Sequence, residues 1–183
     1  MRLTRRRFVS GVAAAAAACG LGATAGCDLR PDGASEPRTK KGKGMLKGID
    51  PVVSPELLKA LAEMGHGDEI LFADAHFPGR TNARELIRAD GVSVDRVLKG
   101  VAPLIELDSY ATPVIMTAPV PGDTLDPDVE ARIRKALDYK GEIEFVTRDE
   151  LYARAKRAFA VVQTGETAKY GNVFVKKGVT PVG

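Results

Sequence analysis

Short apolar runs and longer segments with helical periodicity alternate along the chain from residue 54 onward. A short apolar run bounded by Gly, Pro, Asp or Asn is typical of a buried strand. Six runs of this kind predict six strands: EILFADA from Glu69, residues 84–89, TPVIMTAPV from Thr112, IEFVT from Ile143, AVVQTG from Ala160 and NVFVKK from Asn172.

Four segments around these runs carry apolar residues at three- and four-residue spacing, which predicts helices. The first has Ser54 as its N-cap and Pro55 in its first turn, and Gly65 is predicted to end it in the left-handed conformation. The others are predicted from Ser93 to about Ile105, from Asp126-Pro127 to about Tyr139, and from Asp149 to about Phe159. This alternation predicts an α/β fold: a single compact three-layer domain with helices flanking a mostly parallel sheet.

The beginning of the chain has the order of an export signal. TRRRFV from Thr4 matches a twin-arginine pattern, an alanine-rich run follows, and a small-residue processing site ends the segment. Residues 28–44 combine Pro, Gly, Ser and charges without apolar periodicity, which is typical of a disordered linker. The predicted organisation is therefore an export signal over residues 1–27, a linker over 28–44 and a domain over 45–183.

Two processing sites fit this segment, and they have different consequences. Cleavage after Ala23-Thr24-Ala25 releases an exported, periplasmic protein. Alternatively, Thr24-Ala25-Gly26-Cys27 resembles a lipobox, in which lipidation of Cys27 would tether the protein to a membrane. A further alternative is that translation starts at Met45, which would leave the protein in the cytoplasm.

Charge and cysteine content narrow the possible functions of the domain. The chain carries a formal charge of +3, but residues 1–44 hold nine Lys or Arg and three acidic residues. The remainder is therefore mildly acidic, which argues against nucleic acid as a partner. Both cysteines, Cys19 and Cys27, precede Met45, so the domain has no internal disulfide, thiolate nucleophile or cysteine-ligated metal.

The only two histidines, His66 and His76, lie in one short window, LAEMGHGDEILFADAHFPG. An imidazole has a free pKa of about 6.5 and can both give and take a proton near neutral pH. Each histidine also has a plainer interpretation as an exposed loop residue. A metal site is not predicted, because this loop supplies too few ligands at recognisable spacing.

Several other polar residues follow or precede predicted strands. Asp74 ends the first strand, where ligands gather in parallel sheets, and Arg148 precedes a helix. AKYGN over residues 168–172 and ELDSY over residues 106–110 are polar turns next to strands. Taken alone, each fits an ordinary turn or surface residue, so the residues by themselves predict a polar pocket with histidine acid/base chemistry and no defined reaction.

Five segments together resemble the L-fucose mutarotase family, which is related to D-ribose pyranase. They cover almost all of residues 45–181 in order: MLKGIDPVVSPELLKALAEMGHGDEILFADAHFPG, IRADG, LDSYATPVIM, GDTLDP and GETAKYGNVFVKKGVTP. Members usually begin at the equivalent of Met45, so the leader departs from the family pattern. The resemblance implies a ribose-pyranase-like fold that assembles into rings, often stacked as decamers, with sites between neighbouring subunits.

The resemblance also implies roles for individual residues. His66 of MGHGDE corresponds to the catalytic histidine, and the sugar-binding positions correspond to Asp74, Arg148, Tyr170, Gly171 and Asn172. We add His76, Asp108 and Tyr110 as further candidates for the pocket. No metal or organic cofactor is implied.

The predicted function is interconversion of the α and β anomers of L-fucose, with His66 providing acid/base catalysis of ring opening. A D-ribose pyranase is a close alternative, but Arg148 and Gly171 resemble the fucose branch. A different class of alternative is an exported carbohydrate-binding protein, which would need the sugar-binding residues but not His66.

Overall fold

Six strands form one mixed sheet in the computed structural model of the protein, which describes residues 46–181. They are β1 (Glu69–Ala73), β2 (Leu86–Ala89), β3 (Val114–Thr117), β4 (Glu144–Val146), β5 (Ala160–Thr164) and β6 (Val173–Lys176). Their spatial order is β2-β5-β1-β6-β3-β4, and only β6 runs antiparallel to its neighbours. The predicted mostly parallel sheet is therefore confirmed.

Within residues 46–181, one helix precedes the strands and four connect them: α1 (Pro55–Glu63), α2 (Gly79–Asn82), α3 (Val94–Val101), α4 (Pro127–Leu137) and α5 (Arg148–Ala155). A 3₁₀ turn over Ala102–Leu104 extends α3. No helix within residues 46–181 has the length and apolar character needed to cross a bilayer. The predicted signal over residues 1–27, including Cys27, and the linker over 28–44 lie outside the described residues.

The prediction that Gly65 ends α1 in the left-handed conformation was wrong. The helix ends at Met64 in an extended conformation, and the left-handed glycine is Gly67 rather than Gly65. The carbonyl groups that the helix leaves free are bound by a side chain instead: the Lys177 ammonium donates to the carbonyl oxygens of Leu61 and Met64, both at 2.7 Å. A lysine that directly follows β6 therefore caps the helix, where a nearby glycine had been predicted to do so.

Other boundaries moved by a few residues. The second predicted strand begins at Leu86, and α3 tightens into a 3₁₀ turn where Pro103 lacks an amide hydrogen. The last helix spans Arg148–Ala155, so Arg148 lies in its first turn rather than before it. The short helix α2 was not predicted.

The sheet is covered on both faces, as successive residues of β1 show. Ile70 and Phe72 belong to the larger apolar cluster, which also contains residues of α1, α3 and α4. Leu71 and Ala73 point the other way into a smaller cluster that includes Leu151 of α5. Each face of β1 thus packs against a cluster that includes helix residues, which explains why its positions from Ile70 to Ala73 are all apolar.

The reversed strand β6 places polar loops at both edges of the sheet. The loop over residues 165–172 leaves β5 and enters β6 at the same edge, which is the edge where β1 ends at Ala73. β6 then runs to the opposite edge, where the Lys177 carbonyl accepts from the Gly67 amide at 2.8 Å. The residues after β1 and those before it therefore belong to different edges.

Candidate active site

Asp74 and Asn172 form a buried polar pair at the edge of the sheet where β1 ends. The Asn172 side-chain amide donates from Nδ2 to Asp74 Oδ2 at 2.6 Å, and its Oδ1 accepts from the Asp74 backbone amide at 3.0 Å. Asp74 Oδ1 accepts from the His76 backbone amide at 3.0 Å. Because a carboxylate has about four acceptor positions, Asp74 keeps acceptor capacity for a ligand while its orientation is fixed.

Burial raises the pKa of Asp74 above its ordinary value, because desolvation disfavours the charged form. The hydrogen bonds from the His76 amide and the Asn172 side chain oppose this effect. Asp74 is thus a carboxyl group that both accepts hydrogen bonds and is readier than an exposed Asp to hold a proton.

Tyr170 lies in a tight turn and its ring position is fixed by a neighbouring loop. Its backbone has a left-handed φ of 62°, which is uncommon outside glycine and asparagine. Its hydroxyl donates to Asp123 Oδ2 at 2.8 Å, and the Lys169 ammonium binds the same oxygen at 3.0 Å. These two contacts, Lys169 first, lower the pKa of Asp123, so an ionised carboxylate holds the tyrosine.

Gly171 allows the turn to lie close to Asp74. A Cβ at this position would lie 2.8 Å from Glu166 Cγ and 3.2 Å from the Ala168 carbonyl oxygen. The backbone carbonyl of Glu166 in turn accepts from the Ala75 amide at 2.8 Å. A residue without a side chain is therefore needed where the loop over residues 165–172 packs against the end of β1.

Arg148 is placed by the start of α5. Thr147 caps this helix: its hydroxyl accepts from the Glu150 amide at 3.3 Å, and the Glu150 carboxylate accepts from the Thr147 amide at 2.9 Å. Because the cap directly follows β4, Arg148 reaches the same sheet edge as Asp74. Its guanidinium is exposed and forms no ion pair with any other residue in the range 46–181.

These side chains surround a cavity of about 400 Å³. Predicted residues in its wall are Asp74, His76, Arg148, Tyr170 and Asn172. Sequence reasoning missed six further lining residues: Phe77, Thr117, Asp123, Leu151, Tyr152 and Lys169. Tyr152 packs edge-on against Phe77 with ring centroids 5.7 Å apart, which gives the cavity an apolar part of its wall.

His66, Asp108 and Tyr110 form a second polar cluster outside this cavity. His66 Nε2 lies 3.3 Å from Asp108 Oδ1, and the His66 and Tyr110 rings meet edge to face with centroids 5.4 Å apart. Tyr110 is 80% exposed, so this cluster is on the surface.

The two clusters lie at opposite ends of β1. His66 precedes the strand and Asp74 follows it, and the extended stretch from Asp68 to Asp74 spans roughly 20 Å at about 3.3 Å per residue. Within one chain, the structure therefore does not bring His66 together with the predicted sugar-binding residues. Among residues 46–181, no three His, Cys, Asp or Glu side chains are grouped so that they could hold a metal ion.

Comparison with known proteins identifies relatives across the described domain. Residues 47–180 match the RbsD / FucU transport protein family. A fucose mutarotase from Streptococcus pneumoniae, solved in complex with L-fucose, is 40% identical, with a TM-score of 0.70 over 74% of this chain and 100% of that one.

Two further structures are similar to this chain. FucU from Bifidobacterium longum is 35% identical, with a TM-score of 0.67 over 74% of this chain and all of its own. RbsD from Bacillus subtilis, solved with D-ribose, is 25% identical, with a TM-score of 0.61 over 75% of this chain and all of its own. The family match covers most of the chain, and the six-stranded sheet and its flanking helices agree with it: this protein is a member of the RbsD / FucU transport protein family.

Proposed function

We propose that the protein is a sugar mutarotase that interconverts the α and β anomers of L-fucose. The observation that carries this proposal is the cavity in which buried Asp74 and Asn172 face Arg148 and Tyr170. A fixed carboxylate and a fixed amide, with an exposed guanidinium and an aromatic ring beside them, are suited to a molecule with several hydroxyls and one apolar face. The 40% identity to a fucose mutarotase solved with L-fucose supports fucose as that molecule.

The five predicted sugar-binding residues have separate roles. Asp74 accepts hydrogen bonds from sugar hydroxyls, while Arg148 donates to hydroxyl oxygens and Asn172 keeps Asp74 oriented. Tyr170 provides a ring face for stacking rather than a proton relay, because its hydroxyl proton is already shared with Asp123. Gly171 leaves the space that brings Tyr170 and Asp74 to the same side of the sugar.

The reaction itself needs only proton transfers. A base removes the proton from the anomeric hydroxyl, the bond between C1 and the ring oxygen breaks, and the ring oxygen receives a proton. The aldehyde carbon then turns about the C1–C2 bond, and the ring oxygen adds to its other face with the proton movements reversed. A histidine suits both directions, and acid/base catalysis of this kind is worth typically 10²–10⁴-fold.

We assign this proton transfer to His66 of a neighbouring subunit. The strand between them, whose extended stretch from Asp68 to Asp74 spans roughly 20 Å, prevents His66 and Asp74 from acting on one sugar in the same chain. A ring assembly that places the His66 edge of one copy against the Asp74 edge of the next would complete the site. Such a head-to-tail contact generates a ring when the rotation between neighbouring copies closes.

A non-catalytic carbohydrate-binding protein is the second candidate. One specific observation favours it: a single chain contains the sugar-binding cavity but not His66. If the protein works as a monomer, it would bind sugar without opening the ring.

Saturation-transfer NMR on the purified full chain distinguishes these functions. We expect anomer exchange of L-fucose to be faster than in buffer, and to fall to the buffer rate in His66→Ala while sugar binding is retained. D-ribose is measured alongside, because RbsD from Bacillus subtilis was solved with that sugar. Binding of L-fucose without faster exchange would support the carbohydrate-binding protein, and faster exchange of D-ribose alone would identify a pyranase.

We also propose that the protein is exported through its twin-arginine signal. Substituting Lys for both Arg5 and Arg6 is expected to keep the protein in the cytoplasmic fraction, whereas the unaltered chain is recovered outside it. Metabolic labelling with a fatty acid that disappears in Cys27→Ser would identify a lipid anchor, and labelling unaffected by this substitution would exclude Cys27 as the acceptor.

A further inference from the structure

The contact between His66 and Asp108 resembles the pairing that orients a catalytic histidine in other enzymes. Asp108 Oδ1 lies 3.3 Å from His66 Nε2 and also accepts from the Tyr110 backbone amide at 2.9 Å. The Asp108 side chain is only 5% exposed, whereas that of His66 is 46% exposed. A buried carboxylate therefore holds one nitrogen of the imidazole, and the rest of the ring faces outward.

Both partners are fixed to the end of one strand. The Asp108 amide donates to the Lys176 carbonyl at 3.1 Å, and the Gly67 amide next to His66 donates to the Lys177 carbonyl at 2.8 Å. Two separate loops are thus anchored on adjacent residues of the same backbone. The spacing between His66 and Asp108 is therefore set by the sheet rather than by two mobile loops.

The charge of Asp108 decides which group donates in this contact. The hydrogen bond from the Tyr110 amide, followed by the contact with His66 and the charge of Lys176, lowers the pKa of Asp108 below its ordinary value. Asp108 is therefore ionised near neutral pH, and an ionised carboxylate only accepts hydrogen bonds. The hydrogen between the two groups must then be on His66 Nε2.

We infer that Asp108 is a positioning residue that holds His66 in the Nε2–H tautomer, so that Nδ1 is the nitrogen that exchanges protons with the substrate. This inference rests on the proposed function, because it assigns the reacting atom of the proposed catalytic histidine. The structure agrees on the other side of the ring, since no residue within 46–181 forms a hydrogen bond with Nδ1. Tyr110 packs against the imidazole with its ring edge to face, which further limits rotation.

The carboxylate has a second effect during the reaction. When Nδ1 takes the anomeric proton, His66 becomes an imidazolium that faces the negative charge of Asp108. Removing that charge would weaken His66 as a base while leaving the sugar-binding cavity, which is at the opposite edge of the same chain, unchanged. The loss should therefore appear in kcat rather than in KM.

Steady-state anomer exchange with three variants of the full chain tests the kinetic consequence. Asp108→Ala should lower kcat about ten- to hundredfold, the range that a hydrogen bond to a charged group is worth, with KM changed less than about twofold. Asp108→Asn keeps an acceptor without the charge and should fall between Asp108→Ala and the unaltered protein. Glu106→Gln is the matched control, because it removes one charge from the same loop without a side-chain contact to His66, and it should not change kcat.

Solid-state NMR of ¹⁵N-histidine-labelled protein tests the tautomer directly and is not limited by the size of an assembly. With only two histidines, the His76→Gln variant assigns the spectrum. Neutral His66 should show a protonated Nε2 and a bare Nδ1, and Asp108→Ala should convert this to a mixture of tautomers. Protonation at Nδ1 in the unaltered protein, or a kcat unaffected by Asp108→Ala, would overturn the inference. A protein that shows no exchange of any sugar would instead remove the proposed function, while the tautomer measurement would still decide the role of Asp108.

Discussion

At the scale of single residues, the cavity depends on the side-chain amide of Asn172, which holds the Asp74 carboxylate in one orientation. Asn172 forms hydrogen bonds to Asp74 with both polar atoms of its side chain: Nδ2 donates to the Asp74 carboxylate, and Oδ1 accepts from the Asp74 backbone amide. Both residues are nearly inaccessible to solvent, so water cannot replace these bonds. An unpaired buried group therefore remains when either residue is truncated.

We expect Asn172→Ala to weaken L-fucose binding about tenfold or more. The substitution also leaves the Asp74 amide without its acceptor and should lower the free energy of unfolding by about 1–3 kcal/mol. Isothermal titration and chemical denaturation measure the two effects. The matched control is Asn82→Ala, because Asn82 is equally buried and bonds the Pro78 carbonyl without lining the cavity. Equal loss of sugar binding in both variants would contradict a specific role for Asn172.

Asp74 should also make stability depend on pH in a defined direction. Its folded-state pKa is raised by burial, so its contribution to stability is fully present below the unfolded-state pKa of about 3.9 and is lost as pH rises through the folded-state value. In denaturant unfolding, the free energy of unfolding of the unaltered protein relative to that of Asp74→Ala should therefore be higher at pH 4 than at pH 7. The Asp123→Ala variant is the sign control, because the pKa of Asp123 is lowered and its stability difference should change in the opposite direction. A difference for Asp74→Ala that does not change with pH would contradict the assignment.

At the scale of secondary-structure elements, Glu166 connects helix α4 to the loop that carries Tyr170. Its Oε2 pairs with Arg132 of α4 at 3.0 Å, and its Oε1 accepts from the Ala168 amide at 3.0 Å. Arg132 also pairs with Asp95 of α3 and with Asp128 one turn earlier. The loop over residues 165–172 is therefore held in place by two helices that lie on the larger apolar face of the sheet.

Arg132→Gln should loosen this loop and raise the KM for L-fucose severalfold. It leaves the nearly buried Glu166 carboxylate without its cationic partner, which we expect to cost about 1–2 kcal/mol of unfolding free energy. Arg134→Gln is the matched control on the same helix, because Arg134 pairs with Glu130 at i,i+4, and such pairs contribute only about 0.2–0.5 kcal/mol. The proposed role of Arg132 fails if both variants change KM equally.

The same scale shows why sequence predicted some features and missed others. The sequence pattern located all six strands, because each is a short run that is rich in apolar residues and bounded by polar turns. It did not predict the reversed direction of β6. That direction depends on the loop over residues 165–172, which enters β6 at the same edge of the sheet where it leaves β5. Asp123 was not predicted as a site residue, because its contact with Tyr170 joins residues 47 positions apart. Lys177 was missed as the cap of α1 for the same reason.

At the scale of the whole molecule, β1 separates the proposed base from the proposed sugar-binding side chains. Local sequence brings His66 and Asp74 within eight positions, which suggests one site, but an extended strand between them places them at opposite edges. His66 and Asp74 can therefore belong to one site only if they come from two different chains. Under the proposed function, this arrangement makes assembly a requirement for activity.

Mixing two inactive variants tests this requirement. His66→Ala chains retain the cavity and Asp74→Ala chains retain the histidine, so an assembly of both contains some sites with both functional residues. For random mixing in equal amounts across a head-to-tail interface, about a quarter of the sites combine an intact histidine with an intact cavity. Anomer exchange should therefore recover to about a quarter of the unaltered rate after the two proteins are unfolded and refolded together, whereas each variant refolded alone stays inactive.

The matched control mixes His66→Ala with His66→Gln, which can never combine an intact pair. If the control recovers as much activity as the test mixture, refolding rather than complementation is responsible. If neither mixture recovers while both variants form mixed rings by native mass spectrometry, His66 and Asp74 must act within one chain, which would require β1 to lose its extended conformation. Since all five residues of β1 pair with β5, β6 or both, such a rearrangement would remove the centre of the sheet, and recovery in the mixture is the outcome that the fold favours.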